Sequence, residues 1–320
     1  NLFPYSQSFQ GWGDAGTNTA TVQDAAISPD GSINALKIKG SSDVDNNGLS
    51  EFFVITAGVQ SYSIFAKKGE INILQVGFGG TFGDTYANIN LTNGVVEVES
   101  GQTTTVSAFG NGWYRITSVA TATAGSGYWF INISDDPSMV RNGNYIGNGT
   151  DGLYLFGVQT EAASYATSYI PTEGSTVTRN QDLCNNGGSL ASINSTEGTL
   201  YAEIAALADD GTNRYISLSD GTTSNRVNIF FDSNNNLRGY YNGLSGSITI
   251  NTDIKLNNKI AFKYKSGDSS FWLNGLKVAT RADALSLSGL NSLAFDLGGG
   301  SDFFGKTKAL AVWKTALSDQ

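Results

Sequence analysis

Apolar and polar positions along this chain alternate with a period of two, in short runs separated by turn formers. No useful window keeps the i, i+3, i+4, i+7 apolar spacing of a helix. The alternation is cleanest in the second half. In Gly198–Ala205, Leu200, Ala202 and Ile204 share one face, and in Lys259–Lys265 Ile260, Phe262 and Tyr264 alternate with Lys259, Ala261, Lys263 and Lys265. The latter is the pattern of a half-buried strand with a charged solvent side. Phe271–Ala279 reads FWLNGLKVA, and Asn274-Gly275 between alternating hydrophobics predicts a type I′ hairpin, because both central residues need positive φ. Phe271 and Leu273 then face inward and Trp272 outward. Asp232–Asn236 predicts another tight turn, between VNIFF and LRGYY, after which Tyr240 and Tyr241 must point to opposite faces.

The first half carries the same signature. Ser28-Pro29-Asp30-Gly31 is a turn in which Pro presets φ and Gly accepts a positive one. Strands are predicted at INALKIK from Ile33, at Val59–Phe65, Ile71–Phe78, Trp113–Thr123, Tyr128–Ile133 and Leu153–Val158. YWFINI at 128–133 is apolar on both faces and predicts a central strand covered on both sides. The pattern therefore predicts an all-β protein, two antiparallel β-sandwich (jelly-roll) domains in tandem. The boundaries are residues 1–172, a Ser/Thr-rich linker at 173–196, and 197–320. The stretch Gly152–Asp182 closes the first domain, with its strand beside the N-terminal segment and Pro171 marking the exit.

Composition narrows the function. A chain of 320 residues can build two cores, and 40% hydrophobic residues argue against disorder. A net charge of −9 would repel phosphate backbones, which excludes nucleic acid as a partner, and no apolar stretch is long enough for membrane insertion as a helix. There is no histidine, which removes the usual neutral-pH base and the Ser-His and Cys-His nucleophile arrangements. The single cysteine, Cys184, permits no internal disulfide. No signal peptide is visible, but the chain begins at Asn1 rather than Met, which implies a fragment or a processed product.

Several short motifs have a bland reading that outweighs the chemical one. Gly300–Thr307 matches G-x-x-x-x-G-K-[ST], but only 13 residues follow, too few for a nucleotide domain, so a turn before the last strand is expected. Gly77-Phe-Gly79-Gly80-Thr-Phe-Gly83 breaks the dinucleotide fingerprint and predicts a loop between strands. Asp43, Asp45 and Asn47, followed by Gly48, match the first half of a calcium loop, but the twelfth position is Val54 rather than Glu. A solvated acidic turn is the competing reading. No cofactor is required, and a structural calcium is the metal this pattern leaves open. Asp135-Asp136 and Asp209-Asp210 lie on predicted turns, unlike glycosidase pairs, which flank a cleft. Four N-x-[ST] sequons, at Asn90, Asn132, Asn148 and Asn194, are the chance product of an Asn- and Thr-rich chain.

Aromatic rings are the natural platform for sugars, since they stack on the apolar faces of pyranoses while amides and carboxylates bond the hydroxyls. Trp12, Tyr86, Trp129, Tyr240 and Trp272 are the candidates, with core packing as the competing reading for each.

Residues 1–182 resemble the carbohydrate-binding-module-like domain of phage tail and virion proteins. The landmarks are Asn1-Leu2-x-Pro4-Tyr5-Ser6, Trp12, SPDG at 28–31, YSIFAKKGE at 62–70, GWYRIT at 112–117, GLYLFGVQTE at 152–161, ATSYIPT at 166–172 and Thr178-Arg179. Residues 197–320 resemble the laminin-G-like, concanavalin A-like lectin sandwich through EGTLYAEIA, NRYISLSDG, FWLNGLKVAT and GKTKALAVWKTALSD. The resemblance implies a non-enzymatic glycan-binding, host-attachment protein of a phage tail fibre or other virion appendage. It further implies host-surface polysaccharide and other virion proteins as partners, a homo-oligomer (a trimer by family analogy), and a location in the virion or otherwise outside the cell. It also implies a structural calcium near Asn1 and Glu161. The alternatives are a structural or decoration protein that contacts protein rather than sugar, and an accessory fragment of a secreted bacterial polysaccharide-degrading enzyme or adhesin.

Overall fold

The structure, a computed structural model, describes residues 1–16, 19–178, 187–298 and 300–318. Cys184 and Arg179 lie outside the described residues. No helix occurs among them, and the strands form four antiparallel sheets. The chain divides into two compact units, residues 1–180 and 181–320.

The first unit contains β1 (Gly13–Asp14), β2 (Ala20–Ile27), β3 (Ile33–Lys39), β4 (Gly48–Ile55), β5 (Gly58–Lys67) and β6 (Ile73–Gly80). It continues with β7 (Thr85–Asn90), β8 (Val95–Ser100), β9 (Thr103–Gly110), β10 (Trp113–Ala122), β11 (Gly125–Ser134) and β12 (Gly152–Glu161). One sheet has the order β1-β4-β11-β6-β7-β8 and the other β2-β3-β12-β5-β10-β9. Their facing sides supply one core: Leu36, Ile38, Tyr62 and Ile64 from the second sheet, Leu74, Val76, Phe78, Trp129 and Ile131 from the first. A smaller cluster of Ala35, Phe65, Trp113 and Phe156 lies on the other side of the second sheet, with Tyr169 packed against it. That sheet is thus apolar on both faces near its centre, which is why INALKIK buries Ala35 as well as Leu36 and Ile38 and leaves Ile33 exposed. The N-terminal segment runs beside β12, with Leu2 N donating to Thr160 O at 3.0 Å and Val158 N to Ser6 O at 3.0 Å.

The second unit contains β13 (Glu197–Ala206), β14 (Arg214–Ser219), β15 (Arg226–Phe231), β16 (Leu237–Tyr241) and β17 (Ile248–Ile250). Then follow β18 (Asn258–Lys265), β19 (Ser269–Leu273), β20 (Leu276–Arg281), β21 (Ser292–Ala294) and β22 (Gly305–Trp313). Its sheets have the orders β20-β19-β18-β13-β22 and β17-β16-β15-β14-β21. The β19–β20 hairpin turns at Asn274 (φ 51°) and Gly275 (φ 86°), both left-handed as a type I′ turn requires. The G-x-x-x-x-G-K-T stretch is the entry to β22, with Phe303 buried in the core and a strand, not a helix, after it. Both ends of the stretch read as a linker belong to the units. Glu173 bridges to Tyr5, while Gly187 bridges to Leu293 and Ile193 is buried in the second core.

Trp129 holds the centre of the first core. Its ring lies 3.5 Å from Phe78 and 4.0 Å from Tyr62 by centroid, with Phe53 and Phe82 beyond. Its indole N–H and the Tyr62 hydroxyl are buried without a hydrogen-bond partner. An unmet donor costs about 1–3 kcal/mol, whereas burying an aromatic side chain contributes about 4–6 kcal/mol. Packing therefore wins at this position. Trp129→Ala is expected to destabilise the first unit by about 3–5 kcal/mol, read as a lower urea midpoint for that unit with the second unit's transition unmoved.

In the second unit the buried guanidinium of Arg214 is held by Asp210 Oδ1 at 2.6 Å and Thr212 O at 3.1 Å. Burial alone would raise the Asp210 pKa, but the bonds from Arg214 and Thr212 outweigh it and hold the carboxyl below its usual 3.8. A depressed carboxyl stabilises above its unfolded pKa and loses that contribution as pH falls through the folded one. The stability deficit of Asp210→Asn, measured by urea titration, should be largest near neutrality and shrink below about pH 4.

Candidate functional site

The most distinctive surface is the outer face of the first sheet, the side away from the core. In β11, Trp129, Ile131 and Ile133 point inward, so Tyr128, Phe130 and Asn132 point outward. Register places Tyr128 opposite Phe52 of β4 and Gly79 of β6, and places Phe130 opposite Ser50 and Gly77, with Tyr86 of β7 next in that row. The stretch expected to be a glycine-rich loop is therefore strand: Gly77, Gly79 and Gly80 lie in β6. Glycine is required there because the rings lie down on it. A Cβ on Gly79 would sit 2.1 Å from the Tyr128 ring, and one on Gly77 2.5 Å from the Phe130 ring.

Arg141 completes the surface from the segment after β11. Its guanidinium lies 4.9 Å from the Phe130 centroid and 5.9 Å from that of Tyr128. It donates to Tyr128 OH at 2.9 Å and Phe78 O at 3.1 Å, and pairs with Asp84 at 3.3 Å. Buried amides pin this segment to the face: Asn88 donates to Met139 O and Pro137 O, Gln75 to Asn88 Oδ1 and Val140 O, and Asn132 to Asn142 Oδ1. Beyond the segment the face stays open. Phe52 is 64% exposed and Val54 88%, with the Phe52 ring 4.9 Å from Tyr128. The result is a shallow aromatic surface bordered by a fixed cation, a carboxylate and amides, which suits stacking plus polar contacts to a ligand rich in hydroxyls.

Of the residues expected from sequence, Tyr86 lies on this face. Trp129 does not, and that reading is corrected: it is fully buried because the pleat turns it to the core and gives the outer face to its neighbours. Trp12 is half-buried against Phe3 and Phe9, at 5.3 and 5.4 Å. Tyr240 lies under Arg226 (5.0 Å) and Trp272 under Lys277 (5.1 Å), on different sheets of the second unit. Sequence reasoning missed Phe52, Tyr128, Phe130 and Arg141. The signal available was the pairing of alternate glycines at 77 and 79 with alternate aromatics at 128 and 130.

A second concavity, of about 280 Å³, opens between the turn at 28–31 and the β9–β10 hairpin, lined by Ile27, Pro29, Lys67, Phe109 and Trp113. Trp113 Nε1 is committed to Ile27 O at 3.2 Å, so Lys67 supplies the cleft's charged group.

The calcium reading of Asp43, Asp45 and Asn47 is corrected at Asn47. That amide is fully buried, its Oδ1 accepts from Ser41 N, and its Nδ2 donates to the carbonyls of Asp45 and Tyr145. Near Asn1, the Glu161 carboxylate accepts from Thr167 N, Thr167 Oγ1 and Gln159 Nε2. Among the described residues no group of three or more His, Cys, Asp or Glu gathers at one place. The carboxylate pairs are engaged locally: Asp209 with Lys255, Asp210 with Arg214, Asp136 with Ser138.

No family model matches the chain, and no curated protein matches it. Among solved structures it is similar to the mouse laminin alpha1 chain, domains LG4-5, at 10% identity and a TM-score of 0.32, covering 88% of this chain and 90% of that one.

Asn47→Ala removes the bond to the Ser41 N–H and that to the Tyr145 carbonyl, while the Asp45 carbonyl keeps Tyr145 N. A loss of about 1–3 kcal/mol is expected in the first unit's urea transition, equal in calcium and in EDTA. A loss confined to the calcium-containing sample would restore Asn47 as a ligand.

Proposed function

We propose that the chain is a non-enzymatic saccharide-binding protein and that the outer face of the first sheet is its site. The carrying observation is the exposed ring of Phe52 beside that of Tyr128, which lies over Gly79 and has its hydroxyl bonded by Arg141. Rings held flat and already ordered bind with little loss of side-chain entropy. The lack of histidine and the local engagement of the carboxylate pairs support a binding rather than a hydrolytic role. The sequence resemblance suggests the setting: host-surface glycan, met by a tail fibre or other appendage of a phage particle. A shallow face of this kind binds weakly per site, and several copies, as in a trimer, would multiply the effect.

The test is a glycan array followed by calorimetry on the full chain, with bacterial surface polysaccharides and soluble glucans as probes. Phe52→Ala and Tyr128→Ala should each weaken binding about 3- to 10-fold, and a reducing-sugar assay should stay blank. Sugar release, or binding untouched by both substitutions, would sink the proposal; no binding to any glycan would favour a structural role among virion proteins.

A further inference from the structure

We infer that the cleft between the turn at 28–31 and the β9–β10 hairpin binds a carboxylate carried on an apolar or aromatic body, with Lys67 taking the charge. The site is built on the second sheet of the first unit, so it stands or falls independently of the aromatic face on the first sheet.

The cleft is preformed. Alternation in β5 sends Tyr62, Ile64 and Ala66 to the core, so Phe65 and Lys67 leave the sheet on its outer side. One wall is the turn after β2, closed by Gly31 N donating to Ser28 O at 3.1 Å and Ser28 N to Ser32 O at 2.9 Å. The other is the β9–β10 turn, where Gly110, Asn111 and Gly112 are all left-handed, at φ 90°, 51° and 79°. The bond from Trp113 Nε1 to Ile27 O ties the two walls together. Ile27 is 61% exposed and Phe109 54%, with the Phe109 ring braced edge-on against Phe65 at 4.9 Å. Two open apolar side chains are thus held at fixed spacing before any ligand arrives, which spares the cost of ordering them.

Lys67 is the cleft's cation. A Cβ at Gly112 would lie 3.5 Å from Lys67 Cε, so the lysine stem runs along the bare backbone of that turn. Register sets Tyr154 between Lys37 and Lys67 on the same face, but the two lysines differ. Lys37 is bound to Glu70 at 2.8 Å, whereas Lys67 has no ion pair or hydrogen bond among the described residues. The acids near the cleft in the chain are committed. Glu70 also accepts from Gly152 N, and Asp30 of the turn accepts from Ser28 Oγ, Ser32 N and Asn34 Nδ2. No carboxylate lines the cleft among the described residues. Residues 1–180 hold 7 Lys and Arg against 15 acids, so a cation with no acid bound to it is the exception in this unit and marks where an anion is admitted.

The walls decide what carries the charge. Ile27, Pro29, Phe109 and Trp113 give hydroxyls little to bond, with Ser28 Oγ spent on Asp30 and Asn111 the remaining amide. A polyhydroxylated sugar would bury unmet groups there, whereas an aryl or alkyl body would not. A volume of about 280 Å³ admits one such group. A free arylalkyl acid and the C-terminal residue of a peptide ending in phenylalanine present the same chemistry.

The experiment is ligand-observed NMR and calorimetry of the full chain with phenylacetate, its uncharged amide phenylacetamide, and acetate. A short peptide ending in phenylalanine, with its C-terminus free or amidated, forms a second arm. Phenylacetate is expected to bind with a Kd of about 1 mM or tighter, about tenfold better than the amide or acetate, and to weaken as salt is raised. Lys67→Met, which keeps the stem and removes the charge, should cost about tenfold, and Phe109→Ala about 3- to 10-fold. Phe52→Ala should change nothing. Urea midpoints check that the variants fold; should Lys67→Met not, Lys67→Arg, which keeps the charge and should keep binding, carries the test with Phe109→Ala. Preference for the free-ended over the amidated peptide supports the site with a peptide end as its source, and binding confined to phenylacetate supports it with a free acid. Equal binding of acid and amide overturns the role of Lys67, and binding that survives both Lys67→Met and Phe109→Ala overturns the site. No binding of any carboxylate up to about 10 mM overturns the proposal.

Discussion

Strand β11 obeys one constraint on which the first unit depends: successive side chains leave a pleated strand on opposite sides. Its inward set, Trp129, Ile131 and Ile133, builds the core against Tyr62 and Phe78, and its outward set, Tyr128, Phe130 and Asn132, builds the surface. A slip of one residue would exchange the two. The indole of Trp129 would then face water, and the polar amide of Asn132 would enter the core. The neighbouring strand is matched to this parity. Gly77 and Gly79 of β6 leave room for rings on the outer side while Leu74, Val76 and Phe78 fill the inner one. Core and candidate site are two sides of one register.

Polar groups fix what the pleat leaves free. The segment after β11 has no strand partner over most of its length. It is held instead by Gln75, Asn88 and Asn132, all fully buried, whose amides bond its carbonyls and the side chain of Asn142. Buried amides are stable only when their bonds are made, so this network admits few alternative positions for the segment. Arg141 is thereby delivered over Phe130 and Tyr128, and its cation is satisfied by Asp84 and two backbone carbonyls. Asn47 and Glu161 serve the same purpose elsewhere. Asn47 matches a calcium-loop pattern in sequence because the oxygens that bind a hard cation are the ones that accept backbone N–H groups.

The second unit solves its surface differently. Its outward face is small residues, rings and lysines in register, with no covering segment pinned by amides among the described residues. Lysine stems tolerate exposure and keep the strand face soluble, while Ala261 and Ala311 keep it flat.

The sequence by itself determined the architecture. Period-two alternation, turn chemistry and the absence of helical spacing were enough for an all-β protein of antiparallel sheets. Local patterns such as Asn274-Gly275 even fixed a turn type, because the signal and the structure involve the same few residues. The sequence also separated Tyr240 from Tyr241 and turned Trp272 outward. Reading YWFINI as apolar on both faces left open which side met the core, since rings stand on both, Tyr128 and Phe130 on one and Trp129 on the other. Sequence therefore offers Trp129 as a surface candidate beside its core reading, and gives no reason to name Tyr128. Only the pairing of β11 with β4 and β6, from distant parts of the chain, broke the symmetry by placing glycines under one set of rings and a second sheet over the other. Arg141 and Phe52 were invisible for the same cause: what makes each part of a site is a neighbour brought in by the fold, not one beside it in sequence.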